Sequence, residues 1–158
     1  MSKNPDHPGV ILPPPVIYGL GMVAGLAINV VFPAHLGFPG GAGFWQTIGI
    51  VLLVASAGLA GWAIFSFHKA GTNVQPHHPA TAIVTTGPYR RTRNPMYVAL
   101  TLLYVGVSLV TDNPWILMGL IVILPVMTIG VVRREERYLS AKFGAEYDDY
   151  CRQVRRWL

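Results

Sequence analysis

Residues 96–132 read MYVALTLLYVGVSLVTDNPWILMGLIVILPVMTIGVV, two apolar runs joined by the short link TDNP. A bilayer core requires roughly 20 apolar residues per spanning helix. The second run, 115–132, approaches that length. The first, 96–110, is shorter, so we expect its helix to begin at Pro95 and to end near Asp112. Because the link is so short, the two helices are predicted to form an antiparallel hairpin.

Two more apolar runs precede this hairpin, at residues 15–32 and 44–67, and none of the four contains a charged side chain. Hydrophobic residues make up 52% of the chain and charged residues 12%, about half the charged share of a soluble domain. The sequence therefore predicts an all-α, polytopic membrane protein with about four transmembrane helices. We expect one domain over 1–158, with an N-terminal helix hairpin at 1–68 and a second part, at 69–158, made of a loop, a helix hairpin and the C-terminal tail.

The basic residues are distributed asymmetrically along the chain. Eleven of the twelve Lys and Arg residues lie in segments 69–93 and 133–156, and the link at 33–43 has none. Cytoplasmic loops carry the excess of basic residues in membrane proteins. We therefore expect both segments and both termini to be cytoplasmic, in a bacterial inner membrane. This placement explains the net charge of +5 and argues against a nucleic-acid partner.

Small residues predict close helix packing in the first half of the chain. Gly21 and Gly25 form one small-residue face, and residues between Ser56 and Gly61 form another. Such faces let helices approach closely in lipid, so we expect the first two helices to pack together as a hairpin. Asn29, a polar residue deep in the first run, is expected to hydrogen-bond a neighbouring helix.

The segment at 69–94, KAGTNVQPHHPATAIVTTGPYRRTRN, is too long for a tight turn and too rich in Gly, Pro and Thr for one helix. We expect an ordered cytoplasmic loop, and loops of this length usually carry function. Asn94 and Pro95 are favoured residues for the N-cap and first turn of the next helix. His77 and His78 have no Cys or carboxylate at a ligand spacing, so no metal site is expected.

After the fourth apolar run a helix is expected to continue over residues 133–142, with a break at Gly144. Beyond the break, residues recur at helical spacing and predict a short amphipathic helix on the inner membrane surface. These residues are Tyr147, Tyr150, Cys151, Val154 and Leu158. We expect the arginines near the end of the chain to be exposed charges on that helix. They are Arg152, Arg155 and Arg156.

Polar residues from separate segments are predicted to meet at the base of the hairpin. Arg93 and Tyr97 are four residues apart, so they share one helix face. The antiparallel hairpin would bring them level with Glu135 and Glu136. Each pair also has a simpler interpretation, as membrane anchors for the first and as a solvated ion-pair cluster for the second. We expect the loop, the hairpin base and the tail to converge on one cytoplasmic pocket.

The stretches GPYRRTRNPMY, 87–97, and EERYLSAKFGAEYDDY, 135–150, resemble the isoprenylcysteine carboxyl methyltransferase superfamily, which is related to phospholipid N-methyltransferases. The hallmark of that superfamily is Arg-His-Pro-x-Tyr-x-Gly, followed later by Glu-Glu and Phe-Gly-x-x-Tyr-x-x-Tyr. Matching positions are Arg93, Pro95, Tyr97, Glu135, Glu136, Phe143, Gly144, Tyr147 and Tyr150. Asn94 and Ala99 depart from the pattern, where the superfamily has His and Gly. The resemblance covers roughly residues 71–157.

This resemblance implies an S-adenosylmethionine site and a lipophilic acceptor, prenyl-like or lipid-like, that is methylated on a carboxylate, an amine or a thiol. It implies that Arg93, Glu135 and Glu136 are catalytic. The cofactor-binding residues that it implies are Gly87, Tyr89, Arg93, Asn94, Pro95, Tyr97, Glu135, Glu136, Tyr147 and Tyr150. The implied partners are this acceptor and the membrane lipids.

The residue types suit that cofactor. Arginine pairs with a carboxylate in a bidentate fork, glutamate can hold an ammonium or ribose hydroxyls, and aromatic rings can face a sulfonium. Methyl transfer requires mainly positioning and exclusion of water. Two alternatives stay open: a sterol-reductase-like oxidoreductase that binds NADPH, and a non-catalytic membrane protein that packs against a partner.

Overall fold

The computed structural model describes residues 8–71 and 81–158. Its helices are α1 (Pro14–Val31), α2 (Ala42–Ala70), α3 (Pro95–Val110), α4 (Pro114–Met127), α5 (Arg133–Phe143) and α6 (Ala145–Gln153). A 3₁₀ turn, Gly87–Arg90, precedes α3, and a π-helical turn, Thr128–Val132, joins α4 to α5. No strand occurs in the described ranges, so the predicted all-α architecture is confirmed. His77 and His78 lie outside the described residues.

The predicted apolar runs all form helices. By length and composition, α1, α2 and the continuous helix Pro114–Phe143 are able to cross a membrane, whereas α3 has only 16 residues. The apolar part of the long helix ends at Val132, because Arg133 and Arg134 follow it directly. Many large apolar side chains of α1 and α2 are exposed, as lipid-facing residues are. The chain is therefore a membrane protein with three long apolar helices and one shorter one.

The predicted hairpin of α3 and α4 is present and is closed by one buried asparagine. The Asn113 side chain accepts hydrogen bonds from the backbone N–H groups of Trp115 and Ile116, which caps α4. Its amide also donates to the Gly25 carbonyl of α1 at 3.4 Å. Asn113 is 1% exposed, so these contacts satisfy a polar group that water does not reach.

The expected packing of α1 against α2 is wrong. Instead, α1 packs mainly on α4, and α2 mainly on α3. Glycines make both contacts possible: a Cβ at Gly25 would lie 2.7–2.8 Å from atoms of Ile116, and one at Gly49 would lie 2.8 Å from the Gly106 carbonyl oxygen. The α3–α4 hairpin therefore stands between the two N-terminal helices and holds each of them separately.

Ser56 and Asn29 are polar residues of the N-terminal helices, and only the first bonds to a neighbouring helix among the described residues. Ser56 of α2 donates a 2.7 Å hydrogen bond to the Ala99 carbonyl of α3. Asn29 does not bond to a neighbouring helix, contrary to expectation; its side chain accepts from the backbone N–H of Ala34. Asn29 thus holds the chain just after the end of α1.

The π-helical turn after α4 lies directly before the glutamate pair. It follows Pro125, which has no N–H to donate within the helix. The Gly130 carbonyl accepts from the Ile11 N–H at 3.4 Å, and Arg134 donates to the Gly9 carbonyl at 2.8 Å. The described N-terminal residues therefore lie along this turn, at the same end of the bundle as the predicted site.

The C-terminal tail differs from the expected surface helix. Gly144 breaks the helix as predicted, with a φ of +56° that glycine tolerates. However, α6 ends at Gln153 and Val154 is extended, so Val154 and Leu158 do not continue the helix. Tyr147 and Tyr150 are buried within the protein and are not presented to lipid.

Candidate functional site

A cavity of about 150 Å³ lies between the loop before α3, the base of α3, and helices α5 and α6. Its polar lining residues are Tyr89, Arg93, Asn94, Tyr97, Glu135, Glu136, Tyr138, Tyr147 and Tyr150. Its apolar lining residues are Pro8, Phe67, Ala82, Ile83, Val84, Met96 and Leu139. The structure thus brings the predicted catalytic residues together with most of the predicted cofactor-binding residues.

Gly87 and Pro95, both predicted to bind the cofactor, do not line the cavity. Gly87 has a φ of +62°, and a Cβ there would collide with the Ser66 hydroxyl. Pro95 is buried in the first turn of α3. Both residues therefore shape the chain next to the cavity: one brings the 3₁₀ turn against α2, and the other begins the helix that carries Tyr97.

Glu136 is the centre of an ion-pair cluster with two arginines. Nη1 of Arg93 lies 3.0 Å from Oε1 of Glu136. Arg156 forms a fork on the same carboxylate, with Nε 3.0 Å from Oε1 and Nη2 2.8 Å from Oε2. The hydrogen bond with Glu136 raises the pKa of the Arg156 guanidinium, so the arginine stays charged. The expectation that Arg156 is an exposed surface charge is therefore wrong.

Arg156 reaches the cluster because the tail turns back along the loop before α3. The backbone N–H of Arg93 donates to the Arg155 carbonyl at 2.9 Å. The Thr92 hydroxyl and the side-chain amide of Asn94 both donate to the Arg156 carbonyl, at 3.2 and 2.9 Å. Nothing in the sequence spacing indicates this contact, since it depends on Val154 leaving the helix.

These contacts also give Asn94 a different role from the one predicted. Asn94 occupies the N-cap position of α3, but its side chain makes no capping hydrogen bond there. Its amide holds the tail instead. The residue at the position where the resemblance has His is therefore used in this chain to fix the C-terminal segment.

Arg93 retains donor capacity within this cluster. Its Nη1 contacts both Glu136 and the Cys151 sulfur. Its Nε is buried and has no hydrogen-bond partner among the described residues. Since an unsatisfied buried donor costs about 1–3 kcal/mol, a group that accepts from Nε would be favoured here.

Glu135 is next to Glu136 in sequence but has a different partner. The Tyr97 hydroxyl donates a 2.6 Å hydrogen bond to Oε1 of Glu135. No Lys or Arg in the described part of the chain forms an ion pair with this carboxylate. Because Glu136 is shared by two guanidinium groups, Glu135 is the carboxylate in the cavity that is able to bind a cation or to accept a proton.

Aromatic residues complete the cavity. The Tyr150 hydroxyl donates to the Tyr89 carbonyl at 2.8 Å, which fixes α6 against the 3₁₀ turn. Burial raises the pKa values of Tyr147 and Tyr150, so both phenols are neutral near pH 7. The ring of Phe67 stacks edge-on against Tyr89, 5.3 Å between centroids, at the apolar end. The cavity therefore combines a cationic corner, a carboxylate and an apolar aromatic surface.

Comparison with known proteins finds several partial matches. The chain is 40% identical over 63 residues to an uncharacterized protein of Haemophilus influenzae; the match covers 40% of this chain and all of that protein. It is 36% identical over 75 residues to the nickel-cobalt-cadmium resistance protein NccN of Alcaligenes xylosoxydans xylosoxydans. That match covers 48% of this chain and 35% of NccN.

A similar match, 32% identity over 72 residues, exists with the cobalt-zinc-cadmium resistance protein CzcN of Cupriavidus metallidurans. It covers 46% of this chain and 33% of CzcN. The chain thus spans about a third of the length of the two metal-resistance proteins. No solved structure matches it at a significant level.

The family model of phospholipid methyltransferase matches residues 45–146, which is more than half of the chain. The matched range runs from α2 to the start of α6 and includes Arg93, Tyr97, Glu135 and Glu136. It confirms the resemblance found in the sequence. The chain belongs to the phospholipid methyltransferase family.

Proposed function

We propose that this protein is an integral-membrane methyltransferase that takes the methyl group from S-adenosylmethionine and transfers it to a lipophilic acceptor. The observation that carries the proposal is the meeting of Arg93, Glu135 and Glu136 in one partly apolar cavity, in a chain of this family. Neither a partner-binding surface nor a packing role explains why three largely buried charged residues and several tyrosines line one cavity.

The donor set of the cavity fits S-adenosylmethionine. The amino-acid part of that molecule carries a carboxylate and an ammonium. The unpartnered Nε of Arg93 would donate to the carboxylate, and Glu135 would hold the ammonium or the ribose hydroxyls. The rings of Tyr147 and Tyr150 offer aromatic faces to a sulfonium or an adenine.

When bound, S-adenosylmethionine supplies an electrophilic methyl group on a sulfonium. The residues of this chain contribute position, charge and exclusion of water, which are the main requirements of an in-line displacement. The ion pairs of Glu136 hold Arg93 in place. An amine or thiol acceptor must lose a proton, and Glu135 is placed to receive it; a carboxylate acceptor needs no base.

The apolar side of the cavity supports a lipophilic acceptor. Phe67 from the end of α2, Met96 from α3 and Val84 from the loop provide apolar surface next to the polar cluster. An amphipathic acceptor could leave its tail in the bilayer and present only its head group. With the basic residues on the cytoplasmic side, the site would open to the cytoplasm and both termini would lie there, in a bacterial inner membrane.

The first test is ligand binding to the detergent-purified protein. S-adenosylmethionine and its demethylated product should raise the unfolding temperature in a dose-dependent way, because they bind the folded state. NADPH serves as the control ligand. Stabilisation by NADPH, with none by the methyl donor, would replace the proposal with a reductase.

The second test addresses the acceptor. Matched amines, thiols and carboxylates are assayed in lipid vesicles, each with a short and a long alkyl tail. The long-tailed members should be methylated with a much higher kcat/KM. Equal kcat/KM along the tail series would exclude a lipophilic acceptor while leaving donor binding intact.

A further inference from the structure

We propose that Arg156 is a positioning residue of the donor site, and that the C-terminal segment 154–156 exists to place it there. This inference rests on the proposed function, because it concerns how the S-adenosylmethionine carboxylate would be held. It assigns a role to a residue that lies outside the range matched by the family, 45–146.

Arg156 and Arg93 contact the Glu136 carboxylate in different ways. Arg156 makes three of the hydrogen bonds to this carboxylate, at 3.0, 3.2 and 2.8 Å, and uses both oxygens. Arg93 approaches only Oε1 and only with Nη1. A bidentate arginine–carboxylate pair has a defined geometry, so Arg156 determines how Glu136 is oriented.

The orientation of Glu136 in turn determines what Arg93 is able to do. With both Glu136 oxygens engaged by Arg156, Arg93 is held through one nitrogen and its Nε is left without a partner. Without Arg156, Arg93 would be the sole guanidinium beside Glu136. It would then close its own fork on that carboxylate, which would consume donors that the S-adenosylmethionine carboxylate requires.

The backbone holds the tail independently of the Arg156 side chain. The Arg155 carbonyl accepts from the Arg93 N–H, and the Arg156 carbonyl accepts from Thr92 and Asn94. Substituting the side chain of Arg156 leaves all three of these bonds possible. The side chain is 38% exposed, which makes a smaller polar residue tolerable for folding.

The experiment measures the affinity for the demethylated product of S-adenosylmethionine by calorimetry. Arg156→Gln is expected to weaken binding about tenfold, the usual effect of losing a charged hydrogen-bonded contact. Arg156→Lys should recover part of the loss, because it returns the charge without the fork. The matched control is Arg152→Gln, where an exposed arginine pairs with the exposed Asp149; binding should change less than about threefold.

A double variant separates positioning from general stability. If Arg156 acts through Glu136, then Arg156→Gln should add little to the loss caused by Glu136→Gln alone. Unfolding temperatures of all variants are measured without ligand, and a purely structural role would lower these in parallel with affinity. Arg156→Lys stands in if Arg156→Gln does not fold.

The outcomes distinguish the inference from the proposed function. If the unmodified protein binds no methyl donor or product, the proposed function fails and the inference fails with it. If the unmodified protein binds and Arg156→Gln binds within about threefold of it, the proposed function stands and the positioning role is wrong. Full additivity of Arg156→Gln and Glu136→Gln would also overturn it.

Discussion

The hydroxyl of Tyr97 donates a 2.6 Å hydrogen bond to Oε1 of Glu135. This bond joins the first turn of α3 to the first turn of α5, across the cavity that both residues line. Its formation depends on the register of the α3–α4 hairpin and of the π-helical turn that follows. A change in that register would separate the two groups and dismantle the site.

Tyr97→Phe should therefore reduce methyl transfer without unfolding the protein. The variant keeps the ring and removes the buried hydrogen bond to Glu135, for which a loss of about tenfold in kcat/KM is expected. Steady-state kinetics with a long-tailed acceptor provides the measurement. Tyr18→Phe is the comparison, because it removes a tyrosine hydrogen bond of similar length, the 2.7 Å bond to Thr101, outside the cavity. An equal loss in both variants would contradict a specific role for the Tyr97–Glu135 bond.

Arg93→Lys should weaken binding of the methyl donor although it conserves charge. A lysine ammonium can pair with Glu136 but cannot also present a second planar donor, so a loss of roughly tenfold in affinity is expected. Calorimetric titration measures it. The exposed Arg91 provides the control: Arg91→Lys should have an affinity within about threefold of the unmodified protein. Unchanged affinity in Arg93→Lys would mean that Arg93 does not hold the methyl donor.

Gly25→Ala should destabilise the contact between α1 and α4. A Cβ at this position would lie 2.8 Å from backbone atoms of Ile116, which cannot rotate away. We expect a loss of about 1–3 kcal/mol, in the range of overpacked cores. Gly58→Ala on α2 is the matched control, since a Cβ there meets no atom within 4 Å. Unfolding in detergent measures both, and equal stability of the two variants would refute the close helix contact.

The proposed orientation predicts which loops are accessible from each side of the membrane. Single cysteines at Pro39 and at Thr85, in a Cys151→Ser background, should react with an impermeant reagent from opposite faces, because the basic residues flank only the second site. Labelling is done on intact spheroplasts and on inverted vesicles. Reaction of both cysteines from one face would contradict the cytoplasmic placement of the loop before α3.

Acid should weaken the contact between two turns of the chain: the segment 33–41, which joins α1 to α2, and the turn between α3 and α4. The Leu36 N–H, and then His35, lower the pKa of the Asp112 carboxyl. A lowered folded-state pKa stabilises the structure above the unfolded-state value, and that contribution is lost as the pH falls through the folded-state pKa. The protection of residues 33–41 against hydrogen exchange, measured relative to the intrinsic exchange rate at each pH, should therefore fall below about pH 4. Asp112→Asn should show a weaker pH dependence; an identical profile would exclude Asp112 as the cause.

The sequence alone predicted the helices because hydropathy and helix signals are local properties. A few neighbouring residues determine each of these features: the apolar runs, the four-residue link before Trp115 and the break at Gly144. The short link also predicted that Arg93 and Tyr97 would meet Glu135 and Glu136, because it leaves the two helices only one way to pack. The family resemblance was equally visible in the sequence, because its motifs are short and contiguous.

The tertiary structure decided the contacts that have no local pattern. Arg156 reaches Glu136 only because the backbone at 154–156 pairs with Thr92 and Asn94, residues more than sixty positions earlier in the chain. The pairing of α1 with α4 was equally hidden, since an apolar helix surface can face lipid or another helix with the same composition. The choice depends on steric fit at single positions such as Gly25 against Ile116, which exists only once the helices have packed.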